Sequence, residues 1–164
     1  MKIDPVEIET VLRLLEATPN TLASISKDLS LERLHFRPDD DAWSANDILA
    51  HLRACADLWG KSILAMLAQD HPILRYVSPR TWIKKSKYLD QEFPTSLEAF
   101  TKQRAGLLEV LNSLKTEDWT RGATFTGTTR GREQTVLSYA QRLARHEEEH
   151  CIQVKNLLRN PGSK

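Results

Sequence analysis

Residues Arg145-His146-Glu147-Glu148-Glu149-His150 set two imidazoles four positions apart. On a helix that spacing is one turn, so both rings leave the same face and can bind one metal ion. Tyr139, Leu143, His146, His150, Val154 and Leu157 step by three or four positions, which predicts a helix with both histidines on its inward stripe. His146-Glu147-x-x-His150 also spells the zinc-protease signature, whose glutamate activates a metal-bound water. The chain does not continue that motif. Fourteen residues follow His150, and Cys151 to Asn156 lack the Gly-then-His continuation of the other large protease class. A third ligand has to come from upstream.

Of the other histidines, His51 lies beside the apolar positions Ile48, Leu52 and Cys55 of a second helical pattern, where it can point at the interior. His35 precedes Pro38 in a loop and His71 precedes Pro72, and both read as solvated or locally bonded side chains. Glu147 lies nearest the ligand stripe and is the candidate base or orienting partner. Three consecutive acids nevertheless span three helix faces and read first as solvated. Asp47 and Cys55 flank His51 by one turn each. Asp47 has a capping role that already explains it. Cys55 reads as a small core residue rather than a fourth ligand, because a thiolate there would close the site. Gln153, one turn beyond His150, either lines a pocket or is exposed.

Helical periodicity dominates the elements that must position these residues, and no alternating strand of useful length stands out among 164 residues with six glycines. A first helix is expected from Pro5 to about Asp28, with a kink at Thr18-Pro19. Residues 30–42 carry turn chemistry. Ser44 then caps a second helix reaching about Gln69, with Asp47 at its third position and Trp43 stapled onto Ile48. Asp70 to Pro94 is a long connector with one short helix starting at Ser78-Pro79. Thr95-Ser96-Leu97-Glu98 reads as a capping box opening a third helix with core positions Leu97, Phe100, Leu107, Leu111 and Leu114. Thr120 to Gly131 loops into a fourth helix, from about Gln134 to Arg159, stopped by Asn160-Pro161-Gly162. Four long amphipathic helices with long connections give an all-α four-helix bundle with a crossover, whose interior commonly hosts metal sites.

The length fits one domain over 1–164. Lys plus Arg (23) nearly balances Asp plus Glu (22), so no global field recruits nucleic acid or an anionic membrane. The amino terminus lacks the apolar core of a signal peptide and no apolar run approaches a membrane span. Cys55 and Cys151 show no CxxC spacing, and a disulfide framework is not expected. These features suit a cytoplasmic protein. Arg75 to Tyr88 interleaves cations with Tyr76, Trp82 and Tyr88. It reads as a crossover segment laying its cations over the bundle rather than as an anion grip.

Trp43-Ser44-x-x-Asp47-Ile48-Leu49-x-His51-Leu52, followed near the other end by His146-x-x-x-His150-x-x-Gln153, resembles the DinB family. The Arg37-Pro38 turn, the Leu97 to Leu114 helix and the Glu117-Asp118-Trp119 turn extend the likeness over nearly the whole chain. The resemblance implies an up-down-down-up bundle, often a homodimer, holding one divalent ion on His51, His146 and His150. It also implies an enzyme acting on a small-molecule substrate, with branches that use a low-molecular-weight thiol such as bacillithiol or mycothiol.

Three neutral imidazoles leave open coordination positions, which is catalytic rather than closed structural coordination. Zinc, nickel, cobalt or iron would accept such a set, with zinc or nickel favoured. Apparent affinity is expected to weaken as pH falls through roughly 6.5, where free imidazole protonates. Thiol-dependent S-transfer is the leading function on this reading. A metal-dependent hydrolase is the rival within the enzyme class, and a non-enzymatic stress-response metal-binding interaction module is the rival outside it.

Overall fold

In the computed structural model, which describes residues 3–129 and 131–159, Asp4 accepts the Val6 amide at 2.9 Å and Pro5 fills the first turn of α1 (Pro5–Ser26). This helix runs unbroken through Pro19, which lacks the N–H that would bond the Leu15 carbonyl. Arg104 fills that vacancy from another helix, donating to Leu15 O at 3.1 Å. The stretch 30–42, expected to be turns alone, contains the short helix α2 (Leu31–His35), capped by Ser30.

Ser44 opens α3 (Ala45–Ala68) through a reciprocal capping box: Ser44 Oγ accepts from the Asp47 amide at 3.1 Å, and Asp47 Oδ2 accepts from the Ser44 amide at 2.8 Å. The connector that follows holds strand β1 (Ile73–Arg75), the Ser78-capped helix α4 (Pro79–Ser86) and a 3-10 turn at Tyr88–Asp90. Helix α5 spans Phe93–Asn112 and begins at Glu92 rather than at the anticipated Thr95 box. Phe93 is 1% exposed and Pro94 sits in the first turn, where its missing N–H costs nothing, so core burial and proline together move the start upstream.

After a 3-10 turn at Thr116–Thr120 come β2 (Gly122–Thr126) and β3 (Glu133–Thr135), then α6 (Val136–Arg159). Reciprocal bonds between Thr135 and Ser138 stand at the head of α6, two residues later than expected. The anticipated stop at Asn160-Pro161-Gly162 lies outside the described residues.

The strands, which the sequence pattern did not disclose, form one small sheet in the order β1-β2-β3. Ile73 pairs parallel with Thr124, and Gly122 pairs antiparallel with Thr135. A side chain at Gly122 would meet the Gln134 carbonyl oxygen at 2.6 Å, so the hairpin requires glycine there.

The sheet gathers the C-terminal ends of α3 and α5 and the N-terminal end of α6, so α3 and α5 run together and α6 runs against them. Val6 and Thr10 lie beside Gln141 and Ala144, and Thr18 lies beside Cys151, so α1 runs parallel to α6. The result is an up-down-down-up bundle in which α1 and α3 each pack on both α5 and α6. The connector from α3 to α5 crosses the length of the bundle. One apolar cluster, including Leu15, Ile63, Met66, Leu111 and Leu143, fills the sheet end. Another, including Leu22, Ile48, Leu52, Phe93 and Val154, fills the opposite end. Both cysteines are buried and free.

Candidate metal centre

The capping box fixes where α3 begins and therefore the direction of His51, two turns along. Asp47 is fully committed to that cap and to Arg37, whose Nε and Nη2 each donate to it at 2.9 Å. Burial alone would raise the Asp47 carboxyl, but hydrogen bonds from Arg37 and Ser44, with the charge of Arg37, hold it below the usual carboxylate range. Asp47 thus orients the helix rather than the imidazole. Trp43, expected to staple Ile48, instead remains 43% exposed with its ring 5.0 Å from that of His51 and 6.3 Å from that of His150.

His51 from α3 meets His146 and His150 from α6. Ring centroids are 5.0 Å apart for His51 and His146, 5.0 Å for His51 and His150, and 4.5 Å for His146 and His150. His51 Nε2 and His146 Nε2 approach to 3.1 Å. Two nitrogens at about 2.0–2.1 Å from one tetrahedral zinc would stand roughly 3.3 Å apart, so this pair has the spacing of ligands. Cys55 Sγ lies 3.6 Å from His51 Nε2, and ligand atoms of His51, Cys55 and His146 all lie within 4.8 Å of one another.

His150 stands against this group with Nδ1 bonded to Gln153 Oε1 at 2.8 Å. The amide oxygen only accepts, so Nδ1 is the donor in this bond, which in a neutral imidazole leaves Nε2 as the nitrogen for a metal. Among the described residues His146 Nδ1 is buried without a hydrogen-bond partner. Trp59 packs its ring edge-on to His146 at 5.0 Å between centroids and carries the Arg142 guanidinium over its ring, 4.8 Å from the centroid.

Burial, joined by repulsion from His150 and Arg80, pushes the His51 imidazole down to about 4. Burial, with repulsion from His150, His51 and Arg142, pushes His146 down to about 3. Both rings are therefore neutral at pH 7, as metal ligation requires. The Cys55 thiol is pushed up to about 12 by burial and by Glu147, against the pull of Arg142, and carries its proton in the ion-free protein.

A cleft of about 510 Å³ opens onto the cluster. His51, Cys55, Trp59 and His146 form its inner end. Ser138, Gln141, Arg142, Arg145 and Glu149 of α6 form one wall, and Tyr76 and Pro79 of the crossover form another.

Glu147 does not reach the cleft. It is fully buried on another face of α6, where both carboxylate oxygens take hydrogen bonds from Arg104 at 2.5 and 2.6 Å, so it is an internal counter-ion rather than a base. Sequence spacing placed Glu147 near the ligand stripe but gave no sign of Arg104, a partner 43 positions away. Cys55, read as a core residue, is buried as expected yet turns its sulfur to His51. His35 bonds Glu92 at 2.7 Å, and His71 bonds Glu133 at 2.9 Å and Thr124 at 3.1 Å, so both are locally engaged. Within the crossover, Trp82 and Tyr88 donate to Asp57 Oδ2 at 3.0 and 2.5 Å, docking the segment, while Lys84, Lys85 and Lys87 are exposed.

A bundle of this topology with an imidazole cluster facing a cleft defines a class of metal-competent helical proteins. The chain belongs to the DinB superfamily, whose family model matches residues 14–154. Its fold is similar to that of YfiT from Bacillus subtilis, described as a probable metal-dependent hydrolase with an unusual four-helix bundle topology. The TM-score is 0.84 and the identity 17%, over 99% of this chain and 91% of that one. No curated protein matches the sequence. Among the described residues no helix is long and apolar enough to cross a membrane.

Proposed function

We propose that the chain is a divalent-metal-dependent enzyme acting on a small molecule in the cleft. On this reading His51, His146 and His150 hold one zinc or nickel ion, and S-transfer from a low-molecular-weight thiol is the reaction. The observation that carries the reading is the cluster of three imidazoles from two helices, two of which, His51 and His146, line a cleft of about 510 Å³. An ion so held supplies Lewis acidity, lowering the pKa of a thiol or water that shares the site. The protein's own groups do the rest. Burial keeps His51 and His146 neutral, Gln153 sets the tautomer of His150, and Trp43 and Trp59 brace the rings. Arg142 and Arg145 make the α6 wall cationic, which favours a thiolate or an anionic substrate group beside the cluster.

Among the described residues no carboxylate bonds the three imidazoles, which favours sulfur over water as the activated group. Among the described residues His51 and His146 face each other, His150 faces Gln153, and Glu147 is engaged by Arg104. Attack by water usually needs a nearby base to take its proton, whereas a thiol acts once it has become a thiolate. A hydrolase is the second reading. It is supported by the description of the Bacillus subtilis protein and by Glu149, the carboxylate among the cleft-lining residues.

Metal-reconstituted protein assayed with an electrophile and bacillithiol or mycothiol, and separately with esters and amides without thiol, distinguishes the two. Thiol conjugation that needs the ion and survives Glu149→Gln within roughly tenfold, about 1.4 kcal/mol in barrier, supports transfer. Thiol-free hydrolysis lost roughly a thousandfold or more in Glu149→Gln would replace it with the hydrolase.

A further inference from the structure

We infer that Cys55 is a ligand of this centre, so that the ion is held by imidazoles together with a thiolate rather than by imidazoles alone. The inference rests on the metal reading above and adds a thiolate to its imidazoles, so that an ion held by all four side chains would take a thiol or water only as a fifth ligand. Cys55 stands one turn after His51 on α3, so the two side chains leave the helix on the same face. Tetrahedral coordination with metal–sulfur near 2.3 Å and metal–nitrogen near 2.0–2.1 Å sets sulfur and nitrogen roughly 3.6 Å apart. Cys55 Sγ and His51 Nε2 are 3.6 Å apart. The 3.1 Å between the nitrogens of His51 and His146 is likewise close to the spacing this geometry sets for two imidazoles.

Among the described residues the tight group of donor atoms is His51, Cys55 and His146, with His150 against it. Cys55 is completely buried yet lines the inner end of the cleft, and it forms no disulfide, which leaves its sulfur available to an ion entering from that side. On binding, the S–H bond breaks heterolytically, the sulfur keeps the electron pair for the metal and the proton leaves to solvent. No redox change is involved. A thiolate donor biases the centre toward zinc and cobalt and against magnesium, calcium and manganese, which prefer oxygen.

Cobalt(II) reports sulfur ligation directly, through an intense near-ultraviolet thiolate-to-metal charge-transfer band distinct from its weaker visible bands. The full-length chain, stripped with chelator and titrated with cobalt(II), is expected to develop that band to saturation at about one ion per chain. Cys151→Ser should keep the band, while Cys55→Ala and Cys55→Ser should lose it and still take up cobalt on the imidazoles. Visible bands with no charge-transfer band in the parent protein would overturn the inference while leaving the metal reading intact. So would a band that persists in Cys55→Ala. Failure of the parent to take up cobalt would overturn both. The parent spectrum decides the matter even if a Cys55 variant does not fold.

Discussion

Arg104 satisfies two demands at once inside the bundle: the carboxylate of Glu147 and the Leu15 carbonyl that Pro19 leaves without its helical partner. Removing one member of such a pair leaves the other charge buried and uncompensated. Glu147→Gln is therefore expected to cost about 3–5 kcal/mol in urea denaturation, whereas Arg104→Met combined with Glu147→Leu removes both charges and costs less, about the 1–3 kcal/mol of the Leu15 carbonyl left without a donor. An unchanged midpoint in the single variant would show that the pair carries no stability. The neutral imidazoles add a pH dependence. Because His51 and His146 titrate near 4 and 3 when folded and near 6.5 when unfolded, the unfolded chain binds protons first on acidification. Their contribution is complete above pH 6.5 and is lost as pH falls from there toward 3. The melting temperature of metal-free protein should drop across that window, and less so in a His51→Ala, His146→Ala double variant. Proton competition with an ion at these two ligands correspondingly begins near pH 4, lower than the sequence alone suggests. Gln153→Ala frees the tautomer of His150 and should weaken metal affinity roughly 10- to 100-fold in a competition titration, with unchanged affinity denying Gln153 its orienting role.

Local signals governed the elements that matter most for the site. Ser44 and Asp47 make both halves of the capping box, so Ser44→Ala should lower stability by about 1 kcal/mol in chemical denaturation, and an unmoved midpoint would mean another group caps α3. That box, the Ser78-Pro79 start of α4 and the four-residue step from His146 to His150 were all legible in the sequence, because each is written within one turn of chain. The start of α5 was misplaced at Thr95, since what decides it is burial of Phe93 against residues from other helices. The sheet was invisible for a related reason. β1 and β3 are three residues each, too short for a period, and Ile73 finds Thr124 only once the bundle has formed. Likewise the aromatic bracing of the imidazoles by Trp43 and Trp59, and the turning of Glu147 away from them, are products of tertiary contact that spacing cannot express.

At the scale of the molecule, the crossover imposed by running α3 and α5 in the same direction supplies Tyr76 and Pro79 as a wall of the cleft. The bundle's topology thus encloses the site as well as framing it. Apolar clusters fill both ends of the bundle independently of the imidazoles, with Leu15, Ile63 and Met66 at one and Leu22, Ile48 and Leu52 at the other all fully buried. Chelation should therefore leave helical circular dichroism in place and lower the melting temperature only by the binding energy of the ion. Loss of the fold on chelation would instead identify a structural ion. The most direct test of the central claim is elemental analysis of protein purified without chelators or affinity metals, alongside His51→Ala, His146→Ala and His150→Ala. The account predicts about one divalent ion per chain in the parent and loss of stoichiometric binding in each variant. A parent protein without metal, or full stoichiometry retained in all three variants, would contradict it.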